Sequence, residues 1–177
     1  MLRNFENFYP EVPDSCFIAE STEVIGRVKM GENVSVWYGS MIRGDINWIE
    51  IGENTNVQES SVIHVDFPDE NGENGYTKIG KNVTLGHRAL IHACTIGDDC
   101  LIGMGAIILS GAVIGDGCII GAGAVVKENQ IVPAGSLVVG IPGKIKGEIS
   151  EEARKKIVSH ALKYCKVAKR HKKTSHT

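Results

Sequence analysis

The chain has few of the features that mark exported, membrane-spanning or disordered proteins. Its 177 residues include only 5 prolines and 6% aromatic residues. No apolar run reaches the roughly 18 residues that a membrane-spanning helix needs, so we expect no membrane span. No apolar stretch follows a basic start, so we expect no signal peptide. The 5 cysteines form no CxxC pair, which predicts reduced thiols in the cytoplasm.

What the chain does have is glycine, arranged in a six-residue repeat. Its 21 glycines exceed the ordinary share of about 7%, and many directly follow an aliphatic residue. One hexad fits a short strand plus a corner, and stacked hexads bury an aliphatic ladder in a parallel β-helix. The pattern covers about residues 18–142, and its most regular aliphatic positions are Ile96, Ile102, Ile108, Ile114, Ile120, Val126, Val132 and Val138.

Three cysteines fit the same frame. Cys94, Cys100 and Cys118 each fall four residues after an aliphatic position, where alanine stands in other hexads. We therefore interpret them as small buried residues rather than as metal ligands.

The repeat ends near Pro142, and a helical pattern follows. Ser150 is a candidate N-cap, and apolar residues recur at helical spacing after it, which predicts a helix over about 150–171. We expect a β-helix domain over 1–147, with a polar loop at 65–77, and a helix with a basic tail over 148–177. We interpret the basic residues as a solvated face and expect no nucleic-acid partner, because no aromatic stacking platform accompanies them.

Two histidines of the repeat fall in one register. Ile42 to Ile63 spans 21 residues and Ile63 to Ile91 spans 28, so each step is one coil of 18 plus an insertion. Removing the insertions stacks Arg43, His64 and His92 on successive coils at the strand spacing of about 4.8 Å. His64 and His92 can therefore converge on one metal ion.

His87 cannot join that pair within one chain. Five residues of strand span roughly 16 Å, whereas zinc ligands lie about 2 Å from the metal, and an odd separation turns side chains to opposite faces. Packing the prisms as a homotrimer would bring His87 to the histidine pair of a neighbour, with an open position for water or substrate.

These motifs resemble the γ-class carbonic anhydrase family of left-handed β-helix trimers. The resemblance covers nearly the whole chain and rests on IRGD at 42–45, NVQ at 56–58, SVIH at 61–64, GHRALIH at 86–92, CTIGDDCLIGMGA at 94–106 and VGIPGK at 139–144. It implies an all-β fold, a left-handed parallel β-helix of about seven triangular coils with a C-terminal α-helix.

The resemblance also implies the site residues. The metal ligands would be His64, His87 and His92, holding Zn²⁺, with Fe²⁺ and Co²⁺ also compatible with three imidazoles. Metal-bound hydroxide at the trimer interface would hydrate CO2 to bicarbonate. The surrounding residues would be an inter-subunit ion pair of Arg43 with Asp45, Gln58 orienting water or bicarbonate beside Asn56, and Tyr164, for which core packing is an alternative role.

The chain departs from the family at the acidic proton shuttles. Ile46 and Phe67 stand where relatives place carboxylates. The nearby loop carboxylates, for which replacing the shuttle and a solvated surface role are alternatives, are Asp66, Asp69, Glu70 and Glu73. Two other functions therefore stay open. One is a hexapeptide-repeat acyltransferase that uses coenzyme A, and the other is a non-catalytic scaffold trimer clamped by the metal.

Overall fold

The hexads form short parallel strands joined by corners, as their spacing predicts. The computed structural model describes residues 1–174, a parallel β-solenoid of about eight turns followed by one α-helix. The predicted fold class is therefore confirmed. Residues 175–177, the end of the predicted basic tail, lie outside the described residues. No helix within residues 1–174 is long and apolar enough to cross a membrane.

The strands make three faces, of which face 1 carries the stacked histidines. Its strands are β1 (Leu2–Arg3), the first parts of β3 (Glu23–Met30) and β5 (Met41–Ile51), β7 (Val62–His64), β10 (Leu90–His92), β13 (Ile107–Ile108) and β16 (Val125–Val126). The later parts of β3 and β5 continue around a corner into face 2, whose other strands are β8 (Thr77–Ile79), β11 (Thr95–Ile96), β14 (Val113–Ile114) and β17 (Ile131–Val132).

Face 3 completes the triangle and supports the helix. It contains β2 (Phe17–Ile18), β4 (Ser35–Val36), β6 (Asn56–Val57), β9 (Thr84–Leu85), β12 (Leu101–Ile102), β15 (Ile119–Ile120), β18 (Ser136–Val139) and β19 (Lys144–Glu148). All of these strands are parallel except β19, which turns back antiparallel on β18.

The core is the aliphatic ladder that the hexads predict. Ile63, Ile91 and Ile108 stack beneath face 1 and are fully buried. Cys94, Cys100 and Cys118 are buried free thiols, as predicted. Burying a side chain of this size contributes about 1.5–3 kcal/mol, and the ladder repeats that contribution on every coil.

Glycine after the aliphatic residue marks faces 2 and 3 but not face 1. On face 2, a Cβ added to Gly80 would lie 2.7 Å from the backbone carbon of Gly97 on the next coil, so this edge has no room for side chains. On face 1 the equivalent positions carry Arg43, His64, His92, Leu109 and Lys127. Face 1 therefore carries side chains at a position where most coils of face 2 have no room for them.

A ladder of polar side chains lines the corner between faces 2 and 3. Asn33 donates to Asn54 at 3.4 Å, Asn54 to Asn82 at 3.1 Å, and Asn82 to Asp99 at 2.9 Å. Each of the four residues has a φ between 55° and 59°, which asparagine and aspartate tolerate better than most residues. Arg154 of the helix closes the ladder at Asp99, 3.2 Å away.

The helix α1 (Glu151–Thr174) begins where predicted and extends three residues further. Ser150 Oγ accepts a hydrogen bond from the Ala153 amide at 3.1 Å, which is N-cap geometry. In the last turn, Lys172 Nζ donates to the carbonyl oxygens of Asp14 and Cys16 in the N-terminal segment. The buried residues Ile157, Ala161, Cys165 and Ala168 turn toward the solenoid.

The aliphatic ladder predicts a sharp contrast between inward and outward positions of one face. Ile114→Ala removes a buried side chain of face 2, so we expect it to lower the free energy of unfolding by about 2–5 kcal/mol. Ile131 lies on the same face but is 73% exposed, and Ile131→Ala should change that free energy by less than about 0.5 kcal/mol. Denaturant titration followed by circular dichroism measures both values, and equal losses would contradict the inward assignment of Ile114.

Candidate metal centre

The predicted stack on face 1 is present in the strand pairing. Arg43 pairs with His64, and His64 pairs with His92, on three successive coils. The register obtained by removing the insertions is therefore confirmed. The pairing places both imidazoles on the edge of face 1 that leads into face 2.

The two imidazoles face each other across a gap of metal-binding size. His64 Nδ1 lies 3.2 Å from His92 Nε2, and the ring centroids are 5.2 Å apart. Two nitrogens bound at 2.0–2.1 Å to one tetrahedral ion would lie about 3.3 Å apart. The spacing of this histidine pair therefore fits two ligands of a single ion.

Asp45 joins the histidine pair to Arg43. His64 Nε2 lies 3.2 Å from Asp45 Oδ1, and Arg43 donates to Asp45 Oδ2. Burial raises the pKa of Asp45, but the hydrogen bonds from Arg43 and His64 outweigh it and leave that pKa below its ordinary value. Burial also lowers the pKa of His64, against the opposing effect of Asp45. At neutral pH the pair is thus a carboxylate beside a neutral imidazole.

The contact with Asp45 determines which nitrogen of His64 can bind a metal. A carboxylate only accepts hydrogen bonds, so the neutral His64 ring carries its proton on Nε2. Its Nδ1 lone pair then points at His92. This is the arrangement in which a carboxylate fixes the tautomer of a metal-ligating histidine.

The outer nitrogen of His92 contacts a serine. His92 Nδ1 lies 2.9 Å from Ser110 Oγ, and a hydroxyl can either donate or accept. This single contact therefore leaves both tautomers of His92 open.

His87 lies at the opposite edge of face 1. Its Nδ1 is 2.6 Å from Glu59 Oε2, so the carboxylate holds the proton on Nδ1 and leaves Nε2 as the lone-pair nitrogen. Strand β10 begins after the corner that holds His87 and ends with His92. The corner residues before and after it are Arg88 and Ala93, with φ of 59° and 45°. The width of one face thus keeps His87 from the histidine pair, as the spacing argument predicts.

Two polar residues of the predicted site lie near His87 on face 3. Gln58 Nε2 donates to Asn56 Oδ1 at 3.2 Å, and Asn56 Nδ2 donates to Thr84 Oγ1 at 2.9 Å. Both amides are buried, and Gln58 immediately precedes Glu59, the partner of His87. These bonds fix the orientation of the Gln58 amide.

Tyr164 approaches the same edge from the helix. Its ring packs edge-on against Trp37 at 5.6 Å, so the core-packing role is present. Burial raises the pKa of Tyr164, and the negative charge of Glu59 adds to the shift. The tyrosine is therefore both a packing residue and a neighbour of the carboxylate that contacts His87.

The predicted site residues thus form two separate clusters. We call Arg43, Asp45, His64 and His92 the histidine-pair cluster, and Asn56, Gln58, Glu59, His87 and Tyr164 the His87 cluster. Within residues 1–174 no group of three or more His, Cys, Asp or Glu side chains is placed to hold a metal ion. One chain therefore carries two of the predicted ligands, His64 and His92, at one edge of face 1 and the third, His87, at the other.

Comparison with known proteins places this arrangement in a family. The chain is 48% identical over 152 residues to a "Probable carbonic anhydrase" of Methanocaldococcus jannaschii, covering 85% of this chain and 91% of that protein. It is 39% identical over 170 residues to "Gamma carbonic anhydrase 2, mitochondrial" of Arabidopsis thaliana, covering 96% of this chain. The chain belongs to the γ-carbonic anhydrase family.

The match to the plant protein is partial in length. The chain spans 61% of gamma carbonic anhydrase 2. The family model "Bacterial transferase hexapeptide (six repeats)" matches residues 76–108 and 93–128. A solved hexapeptide transferase family protein from Anaplasma phagocytophilum is 36% identical with a TM-score of 0.88, and the match covers 96% of both chains. The hexapeptide repeat is thus shared with proteins described as transferases.

Arg43 and Asp45 of this γ-carbonic anhydrase family member form an ion pair within one chain. The resemblance implies that these two residues pair between subunits, and that contact stays a prediction. Residues two apart on a strand project from the same side, so the two side chains meet locally.

The sequence analysis did not identify the hydrogen-bond partners of His87 and His92, although their spacing in the sequence matches the coil repeat. Glu59 and His87 are 28 residues apart, the same offset that separates His64 from His92. Ser110 follows His92 by 18 residues, which is one coil. Counting coils outward from each histidine would have placed both partners.

Among the loop carboxylates, Asp66 and Asp69 have different surroundings. Asp69 accepts hydrogen bonds from the amides of Asn71 and Glu73 and from the Asn74 side chain, so it closes the loop on itself. Asp66 Oδ2 instead lies 3.4 Å from Ser110 Oγ. Asp66 is therefore the loop carboxylate connected to the histidine-pair cluster.

The lowered pKa of Asp45 predicts a pH-dependent contribution to stability. An aspartate whose folded-state pKa is depressed stabilises the fold above its ordinary pKa of 3.8 and loses that contribution as the pH falls through the folded value. In metal-free protein, Asp45→Ala should lower the free energy of unfolding by about 1.5 kcal/mol at neutral pH, with a smaller loss near pH 3.

Urea titrations at the two pH values measure this difference. Asp14→Ala, which removes an exposed aspartate, is the control and should behave like wild type. An Asp45→Ala loss that is equally large at both pH values would contradict a role for the ionised carboxylate.

Proposed function

We propose that this protein is a metal-dependent carbonic anhydrase that hydrates CO2 reversibly to bicarbonate at sites shared between the subunits of a homotrimer. The observation that carries the proposal is the gap of 3.2 Å between His64 Nδ1 and His92 Nε2. Each of the three histidines, His64, His87 and His92, contacts a side-chain oxygen through one ring nitrogen, which leaves the other nitrogen for a metal. Three histidines oriented in this way form a donor set typical of catalytic zinc.

His64, His92 and the His87 of a second copy would hold the ion. Zinc is the metal we propose, and Fe²⁺ and Co²⁺ suit the same imidazoles. When bound, the ion would supply Lewis-acid activation of water, whose pKa falls to about 7 at a three-histidine zinc site. The three neutral imidazoles support that effect because they leave the positive charge of the ion uncompensated.

The surface between the two clusters supports the shared site. The outward residues of face 1 that precede the aliphatic ladder are Met41, Val62, Leu90, Ile107 and Val125. Val62 and Leu90 are 39% and 37% exposed. A stacked apolar stripe of this kind is typical of a protein interface.

In a homotrimer, packing the apolar stripe at the subunit interface would also complete the metal site. With face 1 turned toward a threefold axis, the edge that carries His92 in one copy meets the edge that carries His87 in the next. Cyclic symmetry repeats the contact three times. The proposal therefore accounts for both the apolar face and the separation of the histidines.

The remaining residues of the clusters would bind and orient the substrate. The amide of Gln58, held by Asn56, can hydrogen bond to bicarbonate and set its orientation. Arg43 brings positive charge to the edge where the anionic product forms, while Asp45 maintains the tautomer of His64. We propose that the protein works in a reducing compartment, the cytoplasm, which suits its five free thiols.

Two competing functions make different demands on the same residues. A hexapeptide acyltransferase would bind coenzyme A without needing a metal, whereas a scaffold trimer would bind the metal without hydrating CO2. Metal analysis, coenzyme A binding and stopped-flow CO2 hydration on one zinc-reconstituted sample distinguish the three. We expect bound zinc and CO2 hydration.

A complementation experiment tests the shared site directly. His64→Ala disables the histidine-pair cluster and His87→Ala disables the His87 cluster, so each variant alone should lack CO2 hydration. Chains of the two variants co-expressed in equal amounts should recover about a quarter of wild-type activity, because one in four interfaces then joins two intact clusters.

Mixed trimers purified through two different affinity tags should show about a third of wild-type activity, because each has one intact site among its three interfaces. Wild-type chains that carry the same two tags are the control for co-expression and purification. A mixture as inactive as the single variants would contradict a site built from two subunits, and full activity of either variant alone would exclude its histidine as a ligand.

A further inference from the structure

The polar loop after His64 is held so that Asp66, near its start, points back at the histidine-pair cluster. The Asp66 amide donates to the Gly75 carbonyl at 2.7 Å, closing the base of the loop. Asn47 Nδ2 donates to the carbonyls of Asn74 at 2.9 Å and Asp66 at 3.3 Å. Gly75 has a φ of 81°, and a Cβ there would lie 2.5 Å from the Phe67 carbonyl. These contacts hold the base of the loop closed.

This conformation places the Asp66 carboxylate beside Ser110. Asp66 Oδ1 accepts the Phe67 amide at 2.9 Å, which orients the carboxylate. Its Oδ2 accepts from Ser110 Oγ at 3.4 Å, long for a hydroxyl donor, and Ser110 Oγ lies 2.9 Å from His92 Nδ1. Asp66, Ser110 and His92 thus form one hydrogen-bonded row from the loop to the imidazole.

The row determines the direction of each hydrogen bond. A serine hydroxyl has one proton, and the carboxylate can only accept it. Once Ser110 donates to Asp66, its oxygen must accept from His92 Nδ1–H. The Nε2 of His92 then carries a lone pair directed at His64.

We propose that Ser110 and Asp66 are positioning residues that hold His92 in its Nδ1–H tautomer and so prepare Nε2 as a metal ligand. The proposal rests on the metal site proposed above and assigns the outer contacts that build it. Asp66 would act on His92 through Ser110, as Asp45 acts on His64 directly. The loop insertion would then serve to deliver a carboxylate to a histidine one coil away.

The two tautomers together make the gap favourable for a cation. With protons held on His64 Nε2 and His92 Nδ1, two lone pairs face each other at 3.2 Å. Without an ion these lone pairs repel, and a positive ion between them removes the repulsion. The opposite tautomer of His92 would place a proton in the gap and make an internal hydrogen bond that competes with metal binding.

The tautomer can be read in the metal-free protein, independently of catalysis. In full-length protein labelled with ¹⁵N-histidine and stripped of metal, long-range ¹H–¹⁵N correlations distinguish Nδ1–H from Nε2–H rings. Spectra are taken at a pH well above the ordinary histidine pKa so that the rings are neutral. We expect His92 to be an Nδ1–H ring.

Variants of the row should change both the tautomer and the metal affinity. In Asp66→Asn the new amide can donate to Ser110 and turn its hydroxyl toward His92 Nδ1, which shifts the proton to Nε2. We expect Zn²⁺ affinity, measured by competition with a chromophoric chelator, to fall about 10- to 100-fold in Asp66→Asn and Ser110→Ala. Ser110→Thr retains the hydroxyl and should restore most of the affinity.

Glu128→Gln is the matched control. Glu128 lines the same surface cavity of about 470 Å³ as Asp66 and Ser110, so the substitution removes one charge from that cavity without touching the row. Circular dichroism verifies the fold of each variant. An Nε2–H ring in wild type, or unchanged tautomer and Zn²⁺ affinity in both Asp66→Asn and Ser110→Ala, would overturn the proposal.

These outcomes are separate from a failure of the proposed function. If the protein shows the expected tautomer and zinc affinities but no CO2 hydration, the positioning role of the row would stand and the proposed activity would be wrong. Normal CO2 hydration together with an Nε2–H ring of His92 would support the proposed activity and overturn the positioning role of Ser110 and Asp66.

Discussion

The alignment of successive coils is the constraint on which the rest of the structure depends. A coil can bury its aliphatic residue only if the residue above and the residue below point inward at the same place. Backbone hydrogen bonds between coils then require the same register, as in the pairing of Ile91 with Ile63 and Ile108. Every outward position is repeated on the next coil as a consequence. Residues 18 or 28 apart in sequence therefore become direct neighbours.

That alignment explains how the two histidine clusters form and why they lie at different edges of face 1. His64 and His92 occupy the same outward position on neighbouring coils, so their rings meet without any special loop. Glu59 and His87 meet for the same reason at the other edge. The triangular section is rigid, however, and face 1 lies between the edges. A second copy is the simplest way to bring a third imidazole to the pair.

Much of this arrangement could be predicted from the sequence because the repeat turns spacing into geometry. The stack of Arg43, His64 and His92 follows from counting residues between isoleucines, and the helix start follows from Ser150. The family resemblance implies an Arg43 contact with Asp45 between subunits, although strand alternation is enough to bring the two side chains together in one chain. Spacing determines which positions stack, but each side-chain contact also depends on rotamers.

Loop and corner contacts were harder to predict for a physical reason. The path of the 66–76 insertion depends on hydrogen bonds such as those from Asn47, which no periodic pattern encodes. The asparagine ladder depends on left-handed corner conformations that the hexad consensus supplies equally well with glycine. Asp66 could therefore be recognised as a nearby carboxylate, while its contact with Ser110 required the folded loop.

The central claim is that two edges of face 1 from different chains complete each metal site. Native mass spectrometry of the zinc-loaded protein tests it most directly, because it counts chains and ions in the same particle. The account predicts a trimer with three zinc ions that are released when the trimer dissociates. A monomer that retains one tightly bound zinc ion, or a trimer that binds none, would contradict it.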